Sequence, residues 1–365
     1  MSAEGRVNTT GAPITHGILR GIAPALLAAV LFGATTPLIA LAGQNVGALT
    51  TAALLYAGAA AGALLQRALG HSSGGGLSRA SLGRVALVAV IGAAVAPTLL
   101  AWGLRRTGGT TGSLLLNLEA VFTVLLARAV YHEPIGRRVA TALGLMATAG
   151  ALLAFDVTTR ATGWTSLGAL AVGLATLCWA LDNTLTRPLS EADPVLVVGA
   201  KATLGAALTG AIALALREPL PRLLPAVVLL ACGATGYGLS LRLYLIAQRL
   251  IGVARTGSIF ALAPFVGAAL GWAFGFREAG PLTAIAASLF GVAVYLHATE
   301  HHHHRHHHHA IDHTHTHRHD DSHHNHAHEP PFTGEHSHAH HHDAVDHDHD
   351  HAPDLHHEHS HQRAN

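Results

Sequence analysis

The chain is short of the residues that soluble proteins present to water. Only 12% of its 365 residues are charged, about half the usual quarter. Lysine occurs once, as Lys201. The two cysteines, Cys178 and Cys232, stand inside apolar runs. They give no disulfide framework and no metal-ligand spacing, so they read as small core residues. There is no phosphate-binding loop, nucleophile elbow or HExxH stretch. ATP-driven work by this chain alone is therefore not expected, and the chain is not read as an enzyme. Residues 1–19 are polar and hold no short apolar region followed by a cleavage site. The first long apolar run is accordingly read as a retained signal-anchor helix.

Long apolar runs fill the space that charge leaves. "GIAPALLAAVLFGATTPLIALAG" (21–43) carries no charge, and about 20 apolar residues span a bilayer core as a helix. Ten such segments read as helices: 20–42, 47–68, 82–104, 110–130, 138–155, 164–186, 194–216, 223–246, 256–276 and 280–298. Turn and charge signals separate them, as in "GHSSGGGLSR" (70–79), "RPLSEADP" (187–194) and "REPLPR" (217–222). A run of ten excludes a soluble fold with one buried helix. The expected class is an all-α integral membrane protein with ten transmembrane helices.

Arginine sets the orientation. With the N-terminus on the cytoplasmic side, eleven arginines (6, 20, 67, 79, 84, 128, 137, 138, 187, 249 and 255) face inward. Six (105, 106, 160, 217, 222 and 277) face outward. The positive-inside bias favours this arrangement. It places both termini in the cytoplasm and the protein in the cytoplasmic membrane. The basic excess lies in loops beside spans and is no signal for nucleic acid.

The halves repeat. "TGSLLLNLEAVFTVLLARAVYHEP" (111–134) matches "TGSIFALAPFVGAALGWAFGFREA" (256–279) at an offset of 145, aligning Glu133 with Glu278. "LLAAVLFGATTPL" (26–38) matches "GLATLCWALDNTL" (173–185). Five spans per half is odd, so the halves must lie inverted. Inverted repeats around a midplane site are a carrier architecture. These paired helices resemble the two EamA domains of the drug/metabolite transporter superfamily. "LCWALDNTLTRPLS" (177–190) and "GYGLSLRLYLIAQRLIGVARTGSIFALAPFVGA" (236–268) are similar to one bacterial branch. The resemblance covers residues 20–298. It implies a segment 1–19, a first repeat over 20–156, a second over 164–298 and a tail over 300–365. It also implies a cavity lined by helices 1–4 and 6–9, helices 5 and 10 at the periphery, and small-metabolite transport. The family pattern places proline early in the fourth and ninth helices. Pro264 matches it, but Glu119 stands at the aligned position in the fourth.

An ionisable group at mid-bilayer costs roughly 2.5–3.5 kcal/mol on insertion scales, so each one needs a reason. Glu119 is the deepest. Desolvation penalises a charged carboxylate, which makes Glu119 a group for exchanging protons or binding a cation. The alternative is a structural carboxyl partnered by an amide such as Asn117. Asp182 and Lys201 flank the loop 187–193 at similar depth and are expected to pair, as a substrate site or a structural lock. Asn183 is placed for a hydrogen bond across helices. Trp102 and Trp179 either flank the cavity or anchor at the interface. "GAAAG" (58–62) and "GAALGWAFG" (267–275) allow close helix packing.

Residues 300–365 hold 28 of the 32 histidines. They carry three arginines against twelve acids, a formal −9, while the rest of the chain has 19 basic and 9 acidic residues, a formal +10. The segment lacks apolar periodicity and is expected to be disordered. Its candidate metal ligands are His301, His302, His303, His304, His306, His307, His308, His309, His313, His315, His317, His319, His347, His349 and His351. Neutral imidazole suits Ni, Zn, Co and Cu. No cofactor is required; a divalent transition metal at the tail is the one expected addition. The expected partners are a small-molecule substrate, the lipid bilayer, protons as coupling ion, metal ions at the tail and a second copy of the chain in a homodimer. Three readings compete: a metabolite carrier, a transition-metal carrier that uses the tail as collector or sensor, and a membrane-anchored metal-binding protein. His16, His71, His132 and His297 all lie near helix ends or in loops, which favours an organic cargo.

Overall fold

A backbone in lipid must satisfy its own N–H and C=O groups, so apolar runs of this length close into helices. The computed structural model describes residues 14–70, 76–77, 81–132, 135–160, 163–189, 192–251, 253–276, 280–298, 305–308, 311–317, 336–342 and 345–348. Among the described residues, nine helical spans are long and apolar enough to cross a membrane: α1 Gly21–Ala42, α2 Ala48–Ala68, α3 Leu82–Thr107, α4 Gly109–Tyr131, α5 Arg137–Phe155, α6 Ser166–Thr186, α7 Pro194–Ala215, α8 Leu223–Ala247 and α9 Thr256–Ala273. A tenth, α10 Pro281–Leu296, is apolar and shorter. Many large apolar side chains on these helices face outward, among them Leu64, Leu170 and Leu214. Such a surface would associate in water; acyl chains match it.

Helix pairing obeys a two-fold exchange. α2 packs on α7, α4 on α9 and α5 on α10. The α3–α6 contact has its counterpart in α8–α1, and α4–α6 in α9–α1. Replacing each helix by its partner five places along the chain maps these pairings onto one another. Small residues bring the helices close. Ala28, Ala52, Ala93 and Ala175 are fully buried. At the α2–α8 crossing, Gly58 lies against the Leu230 carbonyl and Gly233 against the Leu55 carbonyl. Lipid supplies no hydrophobic drive between helices, so such contacts carry the association.

Four spans are irregular, and they too are paired. α3 passes through a π-helical stretch, Ala89–Val95, and α8 through another, Gly233–Leu239. α4 divides into Gly109–Leu115 and Leu118–Tyr131, and α9 into Val253–Phe260 and Ala263–Ala273. The sequence predicts α4 and α9 each as one segment, with Pro264 able to break the second. Pro264 accounts for the break in α9, because proline cannot donate to the preceding turn. α4 has no proline there. Its break comes from Asn117, whose side-chain amide donates to the Leu114 carbonyl at 3.0 Å. The backbone tightens to three-residue spacing there, with Leu116 N–H bonded to Ser113 O and Asn117 N–H to Leu114 O. Polar side chains that bond the local backbone compete with the helix in this way.

The halves of α4 and α9 on one face pack tightly. Gly271 lies against Gly109 and Thr110, Gly267 against Ser113, and the Thr110 hydroxyl donates to the Phe276 carbonyl at 2.8 Å. Among the described residues, the halves on the opposite face, Leu118–Tyr131 and Val253–Phe260, have no comparable packing. On the packed face, Arg217 takes a left-handed φ of 55° and ends α7. The turn carries Glu218 to the start of α2, where its carboxylate accepts from Thr50 N at 2.8 Å and Thr50 Oγ1 at 2.6 Å. Arg105 reaches the Val46 carbonyl at 2.8 Å beside it.

Four short segments of the tail are described, and they pair as strands. β1 Arg305–His308 pairs antiparallel with β4 Val345–Asp348, and β2 Ile311–His317 with β3 His336–His342. The two ladders share one register, from Arg305 opposite Asp348 to His317 opposite His336. The alternation of "IDHTHTH" has the period of a strand, and its isoleucine and threonines are β-branched, which strands favour. Such a two-stranded ribbon without a core is of marginal stability in water.

Candidate functional site

The break in α4 decides where Glu119 stands. It falls in the first turn of the half-helix Leu118–Tyr131. A helix N-terminus carries partial positive charge, which suits a carboxylate. Glu119 Oε1 accepts from Asn183 Nδ2 of α6 at 2.9 Å. α4 belongs to the first repeat and α6 to the second, so this hydrogen bond crosses the boundary between halves.

Asp182 and Lys201 lie beside it. Their side chains form an ion pair between α6 and α7, with Asp182 almost fully buried. The Thr186 hydroxyl donates to the other Asp182 oxygen at 3.2 Å. The Asp182 carboxylate leans on Gly92 of α3, where there is no room for a side chain. Glu119 is within electrostatic reach of both members of the pair.

The π-helical stretch of α3 completes the site. Such a stretch displaces a carbonyl from its usual helical partner. The Gly92 carbonyl accepts from Tyr56 OH of α2 at 2.7 Å and from Trp179 Nε1 of α6 at 3.0 Å. Three helices are thus tied at one carbonyl oxygen.

Of the residues singled out from sequence, Glu119, Asn183, Asp182 and Lys201 are brought together. Asn117 is buried one turn away and acts on the backbone of the break. Trp102 is placed elsewhere. The Arg106 guanidinium lies 3.5 Å above its ring and donates to its carbonyl, at the end of α3. Trp179, Tyr56, Thr186 and Gly92 belong to the site. A tyrosine inside a charge-poor run was the available signal for Tyr56. Among the described residues no group of three or more His, Cys, Asp or Glu side chains is placed to hold a metal. His301, His302, His303, His304, His309, His319, His349 and His351 lie outside the described residues, as do Glu133 and Glu278.

The site thus joins a carboxylate hydrogen-bonded across the two repeats to an ion pair within the second. The EamA-like transporter family matches residues 19–155 and 166–299, and the chain belongs to that family. It is 29% identical over 188 residues to an uncharacterized transporter of Methanothermobacter thermautotrophicus, covering 50% of this chain and 54% of that one. The chain thus spans about half the length of this curated relative. A solved structure described as the crystal structure of a protein aligns with a TM-score of 0.55 and 19% identity. That match covers 78% of this chain and 98% of that one, and it shows a shared fold.

Proposed function

We propose that the chain is a secondary carrier that moves a small organic metabolite across the cytoplasmic membrane by alternating access, with Glu119 exchanging protons. The observation that carries this reading is the Glu119–Asn183 hydrogen bond across the two repeats. A group that joins both halves senses their relative position, and its protonation can be linked to which face is open. The arginine bias supports an outward assignment for the Glu218 face. The packed halves of α4 and α9 then seal the outside, and Glu119 stands on the side of the break toward the cytoplasm.

The test is cargo-linked proton movement in proteoliposomes under an imposed pH gradient. Glu119→Gln keeps the shape and removes the titratable group. It is expected to abolish proton-linked flux while leaving thermal unfolding within about 1 kcal/mol of wild type, because an amide still bonds Asn183. Wild-type proton-linked flux in this variant would sink the proposal.

The tail is proposed as a cytoplasmic metal-binding attachment that senses or buffers Ni, Zn, Co or Cu. In support, the ladder register sets His313, His315 and His317 opposite His340, His338 and His336. Truncation after Thr299 is expected to remove most of the Ni²⁺ bound by the purified chain in equilibrium dialysis. Acidification through the imidazole range, about pH 6.5, is expected to release it, since protonated imidazole is no ligand. Unchanged stoichiometry after truncation would place the metal elsewhere.

A further inference from the structure

We infer that the cargo is a monovalent organic cation with an apolar aromatic body, held by Glu119 beside the ring of Tyr237. This rests on the carrier reading above and names its substrate class.

Charge is the first argument. Asp182 and Lys201 neutralise each other. Glu119 takes part in no ion pair among the described residues, and its hydrogen-bond partner is the neutral amide of Asn183. The charged or titratable groups within its electrostatic reach are Asp182 on α6, Lys201 on α7, Tyr56 on α2 and Tyr237 on α8. With Glu119 ionised, the cluster keeps one uncompensated negative charge inside the membrane span. An anion there calls for a cation. The chain's one lysine is occupied by Asp182, so no free ammonium is left here for an anionic cargo.

The surroundings are the second argument. Tyr237 of α8 has its ring centroid 5.6 Å from Tyr56, 5.8 Å from Phe32 and 6.4 Å from Trp179. Phe260 of α9 lies 5.4 Å from Phe32 and 5.0 Å from Tyr244. Six rings from five helices are gathered here, out of nine Phe, five Tyr and four Trp in the whole chain. Tyr56 and Trp179 are buried and fixed on the Gly92 carbonyl. Phe32, Tyr237, Tyr244 and Phe260 are only half-buried, although each stands on a span packed against several others. The Tyr237 hydroxyl makes no hydrogen bond among the described residues. Ring faces carry negative electrostatic potential and attract cations. A carboxylate beside such rings offers such a cation both a counter-ion and a surface. Proton and cargo then compete for one carboxylate.

The test uses the purified full chain and two ions of one shape and opposite charge, tetraphenylphosphonium and tetraphenylborate. Isothermal titration is expected to favour the cation by about tenfold or more. Affinity for the cation is expected to fall by up to about tenfold per pH unit once protons occupy Glu119. Glu119→Gln should lose the cation preference, and Tyr237→Leu should weaken cation binding where Tyr237→Phe keeps it. Thermal unfolding of each variant separates loss of binding from loss of fold. Equal binding of the two ions, no binding of the cation, or cation binding indifferent to Glu119→Gln overturns the inference. If proton-linked flux of another cargo is lost in Glu119→Gln while the cation does not bind, the substrate class falls and the carrier reading stands. If the cation binds through Glu119 but Glu119→Gln keeps proton-linked flux, the coupling role falls and the binding site stands.

Discussion

Lys201→Met is expected to destabilise the folded protein by about 3–5 kcal/mol, because it leaves the Asp182 carboxylate buried without its partner. Asp182 is 3% exposed, and its remaining partner is the Thr186 hydroxyl. A hydroxyl cannot neutralise a carboxylate. Asp182→Asn should do comparable damage by leaving the ammonium alone. The exchange of both residues, Asp182→Lys with Lys201→Asp, restores a pair between α6 and α7 and should recover most of the loss. Thermal unfolding in detergent reads these proteins together with the single reversals Asp182→Lys and Lys201→Asp. Recovery in the exchanged pair relative to the two reversals identifies a direct interaction; reversal losses that simply add would refute one.

Gly233→Val is the second large effect. A Cβ at this position meets the Leu55 carbonyl, and its counterpart at Gly58 meets the Leu230 carbonyl. Both obstacles are backbone, so no side chain can turn away and α2 must separate from α8. The expected loss is about 3 kcal/mol, the top of the usual overpacking range. Gly173 on α6 provides the contrast. Nothing lies within 4 Å of a Cβ built there, so Gly173→Ala should be neutral or raise stability by up to about 1 kcal/mol through helix propensity. Parallel melting curves of the two variants test whether contact or composition sets the outcome.

The spans were legible because lipid leaves the backbone few choices, and a charge-free run of 20 or more residues admits little but a helix. The repeat was legible because "TGS" recurs at the same place in α4 and α9. Asp182 and Lys201 were legible as a pair because ionisable residues inside spans are rare and these two are equidistant from one loop. The breaks were less visible. Pro264 announces one, but the equivalent interruption in α4 depends on the Asn117 side chain, and asparagine within a helix is no fixed signal. The π-helical stretches left no mark, since they are settled by how α3 and α8 pack. The Gly92 carbonyl could not be foreseen at all, because main-chain acceptors carry no sequence signature. The tail's low complexity points to disorder, and its period-two alternation is compatible with the paired segments described.

Glu218 sits far from these groups, yet it bears on how long the protein stays in the arrangement described. Its carboxylate caps α2 from a turn that belongs to the other repeat. Under the alternating-access proposal, that contact exists only while the two repeats are drawn together on this face, so it would count in one conformation and not in the other. A side-chain cap contributes about 1 kcal/mol. As a differential contact that is roughly fivefold in the ratio of two populations. Under that proposal, a single carboxylate on a loop would weight the fraction of molecules with this face shut before any cargo or proton arrives.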